Sequence, residues 1–137
     1  MSFQLDFALR HKYRSLDTGI TVNATLIHGE QEFKTSAKID TGAKFCVFER
    51  EIGEYFGIDI ESGLSRQMVT LTGSFATFGH EVTLQTLGLT LHSFVYFYED
   101  REMQRNILGR QGWLQLVRLA IIDYDEELYL SLYNDQI

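Results

Sequence analysis

The sequence lacks proline altogether, so no predicted strand is barred from sheet pairing by a missing backbone donor. Its single cysteine, Cys46, excludes an internal disulfide and a zinc site built from several cysteines. Basic residues are also few, since 12 Lys and Arg face 19 Asp and Glu and leave a formal charge of −7. An acidic chain without a basic cluster argues against a nucleic-acid partner.

Long apolar runs are missing too, and none approaches the ~20 residues that a membrane span requires. The first residues, from Met1 to Asp6, carry neither the basic start nor the apolar core of a signal peptide. We therefore expect a cytoplasmic protein with no membrane partner.

Metal-ligand patterns are equally scarce. The histidines show no paired ligand spacing; they are His11, His28, His80 and His92. The acidic run from Asp123 to Glu127 lacks the spaced loop and central glycine of a calcium site, which favours a solvated hairpin turn. We expect no metal and no cofactor.

Alternating apolar residues dominate what the sequence does contain. With 137 residues, 45% of them hydrophobic, the chain suits one domain covering residues 1–137. Alternation at Ile20, Val22, Ala24 and Leu26, then a turn-like stretch, predicts a β-hairpin over Thr21–Ile39. Alternation also predicts strands at Phe3–Leu9 and Leu87–Leu91, and Gln67–Leu84 is predicted to form two strands around a hairpin tip. Phe94–Tyr98 is predicted as a densely apolar strand, and Leu119–Ile122 and Leu128–Leu132 as a final hairpin.

The period changes to that of a helix at two places. Ile52, Tyr55 and Phe56 have the spacing of one helical face, which predicts a short helix from about Arg50 to Phe56. A second short helix is predicted from Gln111 to Leu116. Trp113 and the run from Phe94 to Tyr98 are expected in the core. The fold class is therefore all-β with one or two short helices.

The predicted hairpin over Thr21–Ile39 leads directly into Asp40-Thr41-Gly42-Ala43. A carboxylate at a strand end, in a turn made by a glycine, is a costly position for a charge, because desolvation or a second carboxylate raises its pKa. The same three letters recur at Asp17-Thr18-Gly19, where the context predicts only a turn. A tripeptide alone is therefore weak support for a site.

A second motif, later in the sequence, distinguishes the Asp40 copy of Asp-Thr-Gly from the Asp17 copy. Asn106-Ile107-Leu108-Gly109-Arg110 follows Asp40 at a suitable interval, with a glycine that presents no side chain to a passing segment. With both strings in this order, the chain resembles the retropepsin-like aspartic proteases, as a single-domain, non-viral type, over roughly Thr21 to Leu132. The resemblance implies a retropepsin-like acid-protease barrel.

The resemblance also implies roles for individual residues. Asp40 would be catalytic, Thr41, Gly42 and Ala43 would support the site, and Thr41 would hydrogen-bond across a two-fold axis. The hairpin tip, expected within Thr72–Gly79, would be a flap that binds substrate through Thr72, Gly73, Ser74 and Phe75. The second motif would pack behind the catalytic loop through Ile107, Leu108, Gly109 and Arg110.

A chain of this length with one usable copy of the motif implies a homodimer, with one Asp40 from each subunit at the axis. The function implied is an aspartic endopeptidase acting on a peptide or protein substrate. The alternative is a non-proteolytic, dimeric peptide-binding module with the same fold, and a monomer with half a site is a third possibility. Phe3–Leu9 and Leu128–Leu132 are both candidates for the dimer interface.

Three positions depart from the family pattern. Phe45 and Cys46 stand where relatives often have small or hydroxyl residues, and Lys44 stands where some viral relatives carry an acid. A cation at position 44 would either alter the preference for charged peptides or point to solvent. Cys46 is expected to be a small buried hydrophobe, since a thiolate needs a cationic or helix-end setting.

Overall fold

The computed structural model describes residues 1–14 and 16–136, and most of the regular structure is β-strand. The helical segments in this part of the chain are one α-helix, α1 (Arg50–Tyr55), and short 3-10 turns at Ile60–Ser62, Leu114–Leu116 and Asp123–Asp125. No helix in these ranges has the length and apolarity needed to cross a membrane. The strands are β1 (Leu9–Lys12), β2 (Thr21–His28), β3 (Gln31–Ile39), β4 (Val47–Phe48), β5 (Leu64–Thr70), β6 (Gly73–Thr86), β7 (Leu89–Tyr98), β8 (Ile107–Leu108), β9 (Val117–Ile122) and β10 (Glu127–Leu132).

The larger sheet has the strand order β2-β3-β8-β4-β7-β6-β5. An additional pairing of β2 with β6 closes six of these strands into a ring, with β5 attached outside it. Because β4 and β8 contribute only two residues each, the ring is not a regular barrel. The predicted all-β class is confirmed, with this correction to the word barrel.

Alternation along β2 explains the predicted hairpin. Val22, Ala24 and Leu26 are buried while their neighbours are more exposed, and β2 pairs with β3 from Thr21↔Lys38 to His28↔Gln31. Gly29 makes the turn with φ +62, a left-handed conformation that glycine adopts at low cost. The hairpin ends at Ile39 and delivers Asp40 to the edge of the ring.

The smaller sheet has the order β1-β10-β9, and its β9–β10 hairpin agrees with the prediction. The predicted strand over Phe3–Leu9 is wrong, because β1 covers Leu9–Lys12 and pairs with β10 only from Leu9↔Leu130 onward. Phe3 and Leu5 are exposed and have no strand partner within the described chain. Alternation alone forms no strand where no neighbouring backbone accepts the hydrogen bonds.

The first predicted helix is confirmed as α1, which buries Ile52 against the core. The second is wrong in extent, since only Leu114–Leu116 forms a 3-10 turn. Gly112 has φ +101, outside the helical region, so the predicted helix cannot run through it. Trp113 is buried as expected and donates from Nε1 to the hydroxyl of Thr86 at 2.9 Å.

Candidate active site

The loop that follows β3 holds the Asp40 carboxylate by its own backbone. The amide of Gly42 donates to Asp40 Oδ1 at 3.0 Å, and the amide of Ala43 donates to the Asp40 carbonyl at 3.1 Å. Asp40 and Ala43 are half-buried, whereas Thr41 and Gly42 are exposed in the single chain. The loop therefore fixes one carboxylate and leaves its outer side accessible.

The second motif supports this loop from a distant part of the sequence. Strand β8 pairs in parallel with β3, at Lys38↔Ile107 and Ile39↔Leu108, and antiparallel with β4 through Val47. The Asp40 amide donates to the Leu108 carbonyl at 3.0 Å. The start of the Asp40 loop is thus tied into the ring of strands.

Gly109 passes so close to the loop that only hydrogen fits at its Cα. A Cβ at this position would lie 2.2 Å from the carbonyl oxygen of Phe45 and 2.8 Å from that of Ala43. The amide of Arg110 then donates to the Ala43 carbonyl at 2.8 Å. The two strings picked out of the sequence therefore form one hydrogen-bonded unit.

Cys46 lies behind this unit and is fully buried. The amide of Gly109 donates to its Sγ at 3.3 Å. Burial raises the pKa of the Cys46 thiol to about 12, so the thiolate that a nucleophile requires is absent near neutral pH. Cys46 is a packing residue of the site.

Asn106 also supports the site, in a role that the sequence does not predict beyond its place in the second motif. Its Oδ1 accepts the Glu49 amide at 3.0 Å, and its Nδ2 donates to Thr35 Oγ1 at 3.1 Å and Glu49 Oε2 at 3.2 Å. Its carbonyl also accepts the Lys38 amide at 2.9 Å. One side chain thereby connects β3, the start of α1 and the segment entering β8.

The hairpin of β5 and β6 stands over the same region. Pairing runs from Leu64↔Gly79 to Thr70↔Gly73, so the tip is the two-residue turn Leu71-Thr72. The expected tip within Thr72–Gly79 is therefore wrong in extent: Thr72 belongs to the turn, but Gly73–Gly79 lie in β6. Phe75 pairs with Met68 and packs against Tyr98 at 5.3 Å between ring centroids. Leu71 is fully exposed at the turn.

An open cleft of about 870 Å³ lies between the Asp40 loop and this hairpin. Of the residues predicted for the site, Asp40, Gly42, Ala43, Thr72, Gly73, Ser74, Phe75 and Ile107 line it together. Thr41, Leu108, Gly109 and Arg110 do not line it; Leu108 and Gly109 are buried behind the loop, and Thr41 and Arg110 are exposed. The structure thus brings the predicted catalytic and flap segments to one cavity.

The walls of the cleft include residues that no sequence motif assigns to a site. A small apolar cluster beneath the hairpin is separate from the main core; its members are Phe45, Val47, Met68, Phe75, Tyr96, Tyr98 and Met103. Arg66 and Arg105 line the cleft beside Lys44. No local spacing identifies these residues, because four separate strands and two loops bring them together.

The cleft of one chain holds two carboxylates. They belong to Asp40 and Asp100. Asp100 Oδ1 accepts a hydrogen bond from the backbone amide of Glu102 at 2.9 Å, within the turn that follows β7. Among residues 1–14 and 16–136, no three His, Cys, Asp or Glu side chains are grouped so that they could hold a metal ion. The chemistry available in the cleft is therefore that of a carboxylate, and the Asp40 carboxylate is the one that its loop holds by hydrogen bonds.

Solved structures with a similar fold are retropepsin-like proteases. A retropepsin-like aspartic protease from Rickettsia conorii matches with a TM-score of 0.62, covering 90% of this chain and 97% of that chain at 16% identity. EIAV protease complexed with the inhibitor HBY-793 matches with a TM-score of 0.51, covering 71% and 86% at 19% identity. These similarities establish a retropepsin-like fold. No protein-family model and no curated protein matches the sequence.

Proposed function

We propose that the chain is a homodimeric aspartic endopeptidase whose two Asp40 carboxyls meet at a two-fold axis. The observation that carries the proposal is the Asp40 loop itself, bonded to β8 and opening into the cleft beneath the β5–β6 hairpin. The retropepsin-like fold supports it, because the solved structures it matches are named as proteases.

The chemistry requires a second carboxyl close to the first. Two carboxyls about 3 Å apart cannot both ionise, so they share one proton; aspartic proteases are the standard example of this behaviour. One chain supplies one carboxylate held in such a loop, and the exposed Thr41 and Gly42 leave that loop open to a partner. A second copy of the chain supplies the missing group by symmetry.

Hydrolysis then proceeds without a covalent intermediate. The ionised carboxylate takes a proton from a water molecule, whose oxygen attacks the peptide carbonyl carbon, while the protonated carboxyl donates a hydrogen bond to the carbonyl oxygen. Collapse of the tetrahedral intermediate breaks the C–N bond as a proton passes to the leaving nitrogen. The two carboxyls titrate as a pair, so neither pKa belongs to one residue alone.

The substrate would lie extended between the dimer floor and the two β5–β6 hairpins. Each hairpin offers a short turn at Leu71-Thr72 above the cleft and the ring of Phe75 within it. An extended peptide can pair its backbone with such strands and place alternate side chains in pockets. The apolar cluster beneath the hairpin provides the wall for those side chains.

The test compares Asp40→Asn with Asp17→Asn, the same change in the second Asp-Thr-Gly copy. Asp17 is exposed, 3.9 Å from Arg14, and lies outside the cleft. We expect the wild type and Asp17→Asn to cleave an unstructured protein at mildly acidic pH, and Asp40→Asn to lose cleavage while sedimenting as a dimer.

Three other outcomes would each count against the proposed function. Cleavage by Asp40→Asn at the wild-type rate would contradict the proposal. Peptide binding by a wild-type dimer that cuts nothing would instead indicate the non-proteolytic binding module. Sedimentation of the wild type as a single chain at micromolar concentration would rule out the shared site.

A further inference from the structure

Arg66 is a cation of the cleft that two aromatic rings and a hydrogen bond hold in place. It lies on β5, and its guanidinium carbon is 4.5 Å from the ring centroid of Phe45 and 5.7 Å from that of Tyr96. Its Nε donates to the Tyr96 hydroxyl at 3.1 Å. Stacking and a directed hydrogen bond restrict the side chain, so little rotamer entropy remains to be lost when a ligand binds.

The ring surface behind Arg66 is itself fixed. Tyr96 is 3% exposed, and its ring packs edge-on against Phe45 at 5.0 Å and against Phe94 at 5.5 Å between centroids. The buried hydroxyl of Thr77 donates to the Arg66 carbonyl at 2.8 Å, which anchors the backbone of the same residue. The guanidinium therefore stands on a rigid platform.

The terminal nitrogens of Arg66 are left for another partner. Over the described ranges, Nη1 and Nη2 donate to no protein acceptor, and no carboxylate lies within ion-pair distance of the guanidinium. Arg50, by contrast, uses both terminal nitrogens on Glu61, at 2.6 and 2.8 Å. One N–H from each of these two nitrogens points in the same direction within the guanidinium plane, and such a pair matches the two oxygens of a carboxylate.

The local charge also differs from that of the whole chain. The chain carries a formal charge of −7, yet Lys44, Arg66 and Arg105 line the cleft against the carboxylates of Asp40 and Asp100. Lys44 also lies over the Phe45 ring, at 5.4 Å from its centroid. An acidic side chain entering here meets net positive charge.

We propose that Arg66 is a specificity-determining residue that selects an Asp or Glu side chain of the bound peptide by a bidentate ion pair. The inference rests on the proposed function only for the placement of a peptide in the cleft. In a two-fold dimer Arg66 is present twice, so acidic residues are favoured on both sides of the scissile bond.

The experiment scans a neutral parent peptide with Glu or Gln at each position in turn. Cleavage by the wild type gives a Glu-to-Gln ratio of kcat/KM, and binding to Asp40→Asn gives the corresponding Gln-to-Glu ratio of Kd without turnover. We expect Glu to be preferred about tenfold at one or more positions, the size of one charge-assisted pair at a half-open site.

Three variants assign that preference. Arg66→Met keeps an unbranched stem on Phe45 but removes the guanidinium, and it should bring the ratio to about 1. Arg66→Lys should retain part of the preference because it keeps the charge without the fork. Arg105→Met removes the same charge from the same cleft but from a side chain without a ring platform, and it should keep the ratio.

The outcomes separate this inference from the proposed function. Cleavage with no Glu preference, or a preference that survives in Arg66→Met, overturns the role of Arg66 alone. An equal loss in Arg105→Met assigns the preference to summed cleft charge and also overturns it. An Arg66-dependent preference in binding, with no cleavage by the wild type, upholds it while the proposed protease fails. Absence of binding by any peptide overturns both.

Discussion

The backbone amide of Asp40 donates to the carbonyl oxygen of Leu108 at 3.0 Å, and this bond continues the parallel pairing of β3 with β8. The position of the Asp40 carboxylate is therefore set by β8, which is the last strand of the larger sheet in chain order. Gly109 follows immediately and brings backbone against backbone beneath the loop. Any change that separates these segments displaces the carboxylate.

Gly109→Ala is the most direct test of this packing. The added Cβ would meet the Phe45 carbonyl at 2.2 Å, and that atom is backbone, so the loop or β8 must move. We expect a loss of roughly 2–3 kcal/mol in the free energy of unfolding, as for overpacked cores, with loss of activity. Urea unfolding and peptide cleavage measure the two effects.

Gly29→Ala is the matched control for that substitution. Gly29 has φ +62 but nothing within 4 Å of the place that an added methyl group would occupy, so only backbone strain of about 1 kcal/mol applies. Activity should persist, because the β2–β3 turn lies away from the cleft. Equal effects of the two substitutions would show that the close approach at Gly109 is unimportant.

Subunit mixing tests whether the site is shared. Inactive Asp40→Asn chains that exchange with wild-type chains would form dimers carrying one carboxylate each. At equal amounts and free exchange, activity per wild-type chain should fall to about one half, because half of those chains then sit in mixed dimers. Activity is measured after incubation at concentrations that permit exchange.

Asp17→Asn chains provide the control for mixing, because they are themselves expected to cleave and should leave the activity per total chain at the wild-type value. If Asp40→Asn chains also had no effect while sedimentation showed mixed dimers, each chain would have to hold a complete site by itself. That result would contradict the proposed dyad.

The ion pairs of Arg50 predict a pH-dependent contribution to stability. Arg50 bonds Glu61 through both terminal nitrogens and Glu54 through Nε at 3.3 Å, which ties α1 to the 3-10 turn before β5. The hydrogen bond from Arg50 lowers the pKa of Glu61 below 4.5. The contribution is therefore complete above pH 4.5 and is lost as the pH falls through the lower folded-state pKa.

Arg50→Met should cost about 1 kcal/mol near pH 7, because the half-exposed Glu61 is partly screened by solvent. The difference from wild type in urea unfolding should shrink as the pH falls toward 3. Arg10→Met, which removes a more exposed pair with Glu127 at 3.5 Å, should cost less at every pH. A difference that stayed constant down to pH 3 would mean that Arg50 acts by packing alone.

Much of the fold could be predicted because its elements depend on local alternation. The β2–β3 hairpin, α1 and the β9–β10 hairpin each follow from neighbouring residues whose period matches a buried face. Asp40 and the second motif were predicted as site residues from their order in the chain, and the structure brings both to one loop. The catalytic role of Asp40 and the supporting role of the second motif remain predictions.

The failures share a cause, which is dependence on contacts between distant segments. Residues 3–7 alternate like a strand but form no backbone strand pairing with β10, and Gly112 adopts a conformation that ends the second predicted helix. The hairpin tip is shorter than expected because Met68 pairs with Phe75. Arg66 acquires its platform only when Phe45 and Tyr96 meet, so no spacing in the sequence marks it.

The pairing of β3 with β8 also has a consequence for synthesis on the ribosome. A nascent chain that extends only to Tyr98 already contains the Asp40 loop, the helix and the β5–β6 hairpin. It still lacks Leu108 and Gly109, so nothing yet receives the Asp40 amide or fills the space beneath the loop. Assembly of this centre must therefore wait until the segment containing Leu108 and Gly109 has been synthesised.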